Sequence, residues 1–225
     1  SGDYADAEAV LQRCLQLSPT DAEAYYELGV SQLQQKSTSK TASAVEFLLV
    51  AVELDPGDAK NFVLLGDGLA QQQQWPESVS SYKSALSIRP DHGPTWASLG
   101  NAQDELLKVD EAEVSWRRAL ALGAKNSFDG LSQAYTNLGA MLRRSDRMHE
   151  SKAAYQAAIQ VHPAAVEAYM GLGRCHSPPQ KGEEGRSNYL RELADSYGAV
   201  LALQPDHAGA YVALGEGLRM YGLQG

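Results

Sequence analysis

Cysteine, basic charge and long apolar runs are what this chain has least of. Only Cys14 and Cys175 occur in 225 residues, too few and too separated in sequence for a disulfide framework. That usage suits a reducing compartment, so an intracellular, cytoplasmic location is expected. The longest apolar stretch, Phe47 to Val52, falls far short of the ~20 residues that span a bilayer, and no membrane insertion is expected. No basic start, apolar core and small-residue cleavage pattern opens the chain, so no secretory leader is expected in it. Bases are scarce: 19 Lys and Arg face 28 Asp and Glu, a net charge of −9. A nucleic-acid binder needs a basic stripe, so nucleic acid is not an expected partner. The deficit is uneven, with 18 acids against 9 bases in residues 1–124 and 10 of each in residues 125–225.

Catalytic and metal-binding signatures are missing too. Gly66-Asp67-Gly68, Gly171-Leu172-Gly173 and Gly215-Glu216-Gly217 lack the third glycine of a dinucleotide fingerprint. There is no P-loop, no H-E-x-x-H and no G-x-S-x-G. Cys175 and His176 are neighbours on a helical stretch, where side chains diverge, so joint metal ligation is not expected. A packed thiol and an inter-helix histidine are the expectation. No enzyme, cofactor or metal site is predicted.

What the chain does have is one recurring phrase, an aromatic, two free residues, then Leu-Gly. It stands as Tyr25…Leu28-Gly29, Phe62…Leu65-Gly66, Trp96…Leu99-Gly100, Tyr135…Leu138-Gly139, Tyr169…Leu172-Gly173 and Tyr211…Leu214-Gly215. Each copy lies in an otherwise helical stretch. A helical glycine costs about 1 kcal/mol against alanine, so six predict that second helices approach closely over the missing side chains. After each of the first five phrases comes an amphipathic stretch, and most of these end at a proline. Ala44, Leu48, Ala51, Val52 and Leu54 precede Pro56; Ser78, Tyr82, Ala85, Leu86 and Ile88 precede Pro90. The aromatic starts are 37, 34, 39, 34 and 42 residues apart, a base period of 34 with inserts of 3, 5 and 8. The inserts predict loops at Lys36–Thr41, Lys125–Leu131 and Ser177–Ser187, the last a flexible excursion rich in Pro and Gly.

A 34-residue helix–turn–helix unit with W-x₂-L-G-x₂-Y…A-x₃-F…P resembles the tetratricopeptide repeat, and the resemblance covers essentially the whole chain. The aromatic expected three residues after the glycine is the main departure, being Gln32, Leu69, Gln103, Leu142, His176 and Leu218. The resemblance implies an all-α, right-handed superhelical α-solenoid of stacked antiparallel helix pairs. Residues 1–21 read as the second helix of a first repeat. Full repeats follow at 22–58, 59–92, 93–131, 132–165 and 166–207, and 208–225 read as the first helix of a last repeat. Neither end supplies a polar cap, so the chain is expected to be a slice of a longer array.

In that family the first helices line a concave groove that holds an extended peptide or a partner's helix. The resemblance therefore implies groove positions at Tyr26, Val30, Val63, Asp67 and Asn101 in the N-terminal half. In the C-terminal half it implies Asn137, Arg143, Met170, Arg174 and Arg219. A carboxylate clamp of the kind some members use is not formed, because Ala97, Glu167 and Gly171 stand at its basic places. The asparagine ladder of the sugar-transferase variant survives only at Asn137. The expected function is a non-enzymatic scaffold or adaptor for protein partners, in which an acidic segment docks on the row Arg143, Arg174, Arg219. Tyr26, Val30 and Val63 would take its apolar side chains. Two alternatives stand: the substrate-recognition region of a larger enzyme, or a structural spacer.

Overall fold

The computed structural model describes residues 2–35, 37–124, 128–176 and 183–221, and among them every regular element is a helix. The helices are α1 (Gly2–Leu17), α2 (Ala22–Gln34), α3 (Thr38–Leu54), α4 (Ala59–Gln71), α5 (Trp75–Ile88) and α6 (Gly93–Glu105). They continue as α7 (Val109–Gly123), α8 (Leu131–Arg144), α9 (Met148–Val161), α10 (Val166–Arg174), α11 (Glu183–Leu203) and α12 (Ala208–Tyr221). The chain is an all-α solenoid of paired helices, divided into two compact units, Ser1–Asn126 and Ser127–Gly225. Within each unit the even-numbered helices carry the Leu-Gly phrase; α2, α4, α6, α8 and α10 pack on the odd-numbered helix that follows, and α12 packs on α11.

Starts and stops follow local chemistry. Asp21 and Asp58 cap α2 and α4, their carboxylates accepting from Ala24 N and Lys60 N. Three inter-helix turns share one geometry. Gln73, Leu107 and Asp146 take φ of 60°, 58° and 58°. In the same turns Gln74, Lys108 and Arg147 N–H groups reach back to Leu69, Gln103 and Leu142 carbonyls, satisfying the helix ends.

The glycines are contact points. A Cβ at Gly29, Gly66, Gly100 or Gly173 would stand 2.5–2.7 Å from Leu48, Tyr82, Trp116 or Tyr197 of the partner helix. At Gly139 it would meet Tyr155 at 3.0 Å, whereas Gly215 has nothing within 4 Å. The close approach brings further bonds. Ser78 and Ser151, fully buried, donate to the Gly66 and Gly139 carbonyls at 2.9 and 2.7 Å.

The inserts behave differently from the expectation. Ser37 ends the first turn and Thr38–Thr41 are already helical, so the three extra residues lengthen α3 and make no loop. The physical reason is phase: three residues approach one 3.6-residue turn, so Thr41, Ala44, Val45, Leu48 and Ala51 stay on the buried face. Glu183–Ser187 are likewise helical, within a 21-residue α11. The rest of that predicted loop, 177–182, lies outside the described residues, as do 125–127 of the middle one and Lys36 of the first. Phe128–Gly130 form the turn into α8, with Gly130 at φ +94°.

Candidate functional site

In the N-terminal unit, three of the groove positions meet around one pocket of about 280 Å³. Tyr26 of α2 and Val63, Leu64 and Asp67 of α4 form its walls, with Arg89 and His92 from the α5–α6 turn and Thr95 from the first turn of α6. Val30 lies one turn beyond Tyr26, half-buried. The pocket is ionic at its rim. Lys60 reaches over the Tyr26 ring, 4.7 Å from its centroid, and pairs with Glu23 at 2.6 Å. That pair is exposed and holds the ammonium above its ordinary value, yet contributes little stability, about 0–1 kcal/mol. Burial, then the Arg89 charge, pushes the His92 imidazole down, and its Nδ1 lies 2.6 Å from Thr95 Oγ1.

The floor is set from behind. Tyr82 of α5 passes under Gly66 and its hydroxyl donates to Asp67 Oδ1 at 2.7 Å. One repeat on, Trp116 passes under Gly100 and its Nε1–H donates to Asn101 Oδ1 at 2.9 Å. In these two repeats a second-helix aromatic thus fixes the residue that follows the glycine on the first-helix surface. Asn101, exposed on α6, also lines a neighbouring hollow of about 320 Å³ with Tyr82 and Ser98.

Burial pushes the Asp67 carboxyl up, and the Tyr82 hydroxyl opposes this in part. A raised value means that stability present below the ordinary 3.8 is lost as pH rises through the folded-state value. Asp67→Asn keeps an acceptor for Tyr82 and removes the buried charge. The variant should therefore melt higher than the parent at pH 7, with the gap closing as pH falls toward about 4. Thermal melts across that range check it; a gap independent of pH would refute the burial argument.

In the C-terminal unit the groove positions scatter more. Asn137 of α8 is half-buried and accepts from Gln133 Nε2 at 2.8 Å. Met170 does not reach a surface: it is 7% exposed and packs with Val166, Leu193 and Tyr197. The thioether fills an irregular gap where α10, α11 and α12 meet. Arg143 is half-buried on α8, and Arg174 is exposed in the last turn of α10. Both guanidiniums act on the Tyr155 and Tyr197 phenols, opposing the upward push of burial. Arg219 is exposed on α12 and shares no hydrogen bond or ion pair with that pair.

The groove spacing also gives Lys60, whereas sequence reasoning missed Arg89 and His92 as pocket residues, and it missed the reach of the second-helix aromatics. A signal for the latter was present, since Tyr82, Trp116 and Tyr155 each stand 16 residues after their glycine. It also missed an ordered trio: His176 lies 2.6 Å from Glu192 Oε2 through Nδ1 and 3.3 Å from Ser196 Oγ through Nε2. The order is that of nucleophile, base and orienting acid. However, Ser196 is 4% exposed inside α11, whose N–H groups belong to the helix ladder, so the trio reads as a clasp between α10 and α11. Cys175 is buried, 3.2 Å from Ser151 Oγ, and both cysteines are free thiols. Among the described residues no group of three or more His, Cys, Asp or Glu could hold a metal ion. No helix among them is long and apolar enough to cross a membrane.

A family model described as tetratricopeptide repeat matches residues 1–59 and 136–176. The BBSome complex member BBS4 homolog of Drosophila melanogaster is 24% identical over 202 residues, 89% of this chain and 37% of that protein. The protein O-mannosyl-transferase TMTC3 of Homo sapiens is 22% identical over 162 residues, 67% of this chain and 18% of that protein. The chain therefore spans well under half the length of either relative. A solved structure described as YrrB, a TPR protein with an unusual peptide-binding site, superposes with a TM-score of 0.64 at 18% identity. That match covers 90% of this chain and 96% of that one, and at such identity it shows the fold alone.

Proposed function

Since the chain belongs to the tetratricopeptide-repeat family, we propose that it is a non-catalytic scaffold holding an extended peptide or helix of a partner protein against its first helices. Protein–protein interaction is the general use of this fold, and its partners are proteins. The observation that carries the finer reading is the pocket where Tyr26, Val63 and Asp67 meet beneath an ionic rim. Apolar walls with a few placed polar groups suit a short side-chain sequence presented by another chain. In the C-terminal unit, Arg143 and Arg174 would bind the acidic segment of that partner, with charge-assisted contacts fixing its register. The two free thiols suit a reducing, cytoplasmic setting.

Affinity capture with mass spectrometry, followed by titration of the partner identified, tests this. Arg174→Glu should weaken binding about tenfold at ~0.1 M salt, with the loss shrinking as ionic strength rises. Val63→Asp should weaken it at every salt concentration. Unchanged affinity in both variants would overturn the groove reading.

Likeness to an O-mannosyl-transferase favours a second reading, in which the chain is the substrate-holding region of a larger enzyme. The same pocket would then hold a substrate segment, and the full-length sequence would separate the two.

A further inference from the structure

Arg143 and Arg174 stand in a setting that asks for more negative charge than one carboxylate brings. The Tyr155 ring lies between α8 and α10: a Cβ on Gly139 would be 3.0 Å from Cδ1, and one on Gly171 would be 2.2 Å from Cζ. Its hydroxyl sits beside Gly171, where that Cβ would stand 2.7 Å from Oη. Arg143 follows Gly139 by four residues and Arg174 follows Gly171 by three, so each begins on the turn adjoining the ring. The Arg143 and Arg174 charges both act on the Tyr155 phenol, against the upward push of its burial. Tyr197 enters from α11 beneath Gly173, the residue before Arg174.

Arg143 Nε is buried and has no hydrogen-bond partner. An orphaned, charged donor in that position is costly to leave unmade, and a bound acceptor would satisfy it. Nearby Arg147 is paired with Glu150 at 2.7 Å, whereas neither Arg143 nor Arg174 has a carboxylate at ion-pairing distance among the described residues. Two guanidiniums with no carboxylate partner among the described residues, and two phenolic hydroxyls, make a set of donors with a charge near +2. A peptide carboxylate supplies −1 and two oxygens. A phosphoryl ester supplies about −1.5 to −2 and three acceptor oxygens on one residue.

We propose that Arg143 and Arg174, with the Tyr155 and Tyr197 hydroxyls, receive a phosphorylated side chain of the partner peptide. The assignment rests on the peptide-binding reading above and narrows it. Arg143, half-buried on α8, supplies the inner donors. Arg174, exposed at the end of α10, closes over the ligand from the solvent side.

The test uses the full chain and three degenerate peptide libraries, with a central phosphoserine, a central Glu or a central Ser. The phosphoserine library should be retained about tenfold or more above the Glu library. Its retention should rise between pH 5.5 and 7.5, as the ester passes its second ionisation near pH 6, while Glu retention stays flat. Arg174→Gln, a change at an exposed position, should abolish the preference without moving the melting temperature, and Arg143→Lys should reduce it. Equal retention of phosphoserine and Glu libraries overturns the phosphoryl assignment and leaves the peptide reading standing. Loss of all three libraries while the captured partner still binds does the same, and loss of both refutes both. A further arm titrates inorganic phosphate while the two Arg Nε–H resonances are followed. Saturation at concentrations as low as those of phosphopeptide would mark a free-phosphate site and overturn the assignment.

Discussion

Gly171→Ala should destabilise the C-terminal unit by about 3 kcal/mol, at the upper end of what overpacking costs. The new Cβ would fall 2.2 Å from Tyr155 Cζ and 2.3 Å from Cε1, inside any real contact distance. Tyr155 has no room to retreat. It is 2% exposed, its other edge lies against Gly139, and its core neighbours are Ala158, Ala168 and Cys175. The backbone of α10 would have to move, pulling Arg174 away from the phenol. A loss of this size lowers the melting temperature of a chain this long by about 10 °C. Gly198→Ala is the control, because nothing lies within 4 Å of a Cβ there and the change should add up to about 1 kcal/mol of helix propensity. Combining Gly171→Ala with Tyr155→Leu, which removes the far end of the ring, should recover much of the loss relative to Tyr155→Leu alone. Urea unfolding of the four variants checks this. A Gly171→Ala protein as stable as its parent would show that the ring yields freely, against the packing described.

How far the sequence anticipates the structure depends on whether a feature is local. Helix existence was legible because Leu-Gly, the amphipathic spacing after it and the closing proline all report on one turn or two of backbone. The Leu-Gly close contacts followed from the cost of a helical glycine, and five of the six have a residue pressed against them. The insert before Ala44 was misread because added length shows in the sequence while the state of the added residues does not. Three residues are nearly a helical turn, and helix was the cheaper continuation. Met170 shows the limit of carrying a position over from a family: α10 has only nine residues, and the core formed with α11 and α12 absorbs its side chain. The Arg143–Arg174 setting was legible only as two charges at repeat positions. That no carboxylate among the described residues pairs with them depends on where each Asp and Glu of the neighbouring helices lands, which no periodicity encodes. The Tyr82–Asp67 and Trp116–Asn101 bonds lie between these extremes. Each joins a residue adjoining a conspicuous glycine to an aromatic at constant spacing, and only the approach of two helices turns that spacing into a bond.

Trp116→Ala is expected to cost the N-terminal unit about 4 kcal/mol, the middle of the range for emptying a large aromatic site. Trp116 heads the fully buried side chains at 1% exposure, and α6 crosses directly over it at Gly100. Its removal would leave both a cavity behind α6 and Asn101 Oδ1 without the indole donor. Trp116→Phe separates the two contributions: much of the ring volume stays, the N–H goes, and the loss should fall to about 2 kcal/mol. Pairing each Trp116 variant with Asn101→Ala isolates the bond, and a coupling of about 1 kcal/mol should appear only where the indole is present. Denaturant titration of this cycle measures it. Zero coupling would mean that the indole is a filler and leaves Asn101 to orient itself. A coupling of the expected size would mean that a residue on the exposed face of α6 is held by one buried behind it. Packing and binding surface would then be a single construction, in which the glycine gives up its side chain so that an aromatic can reach through to the residue beside it.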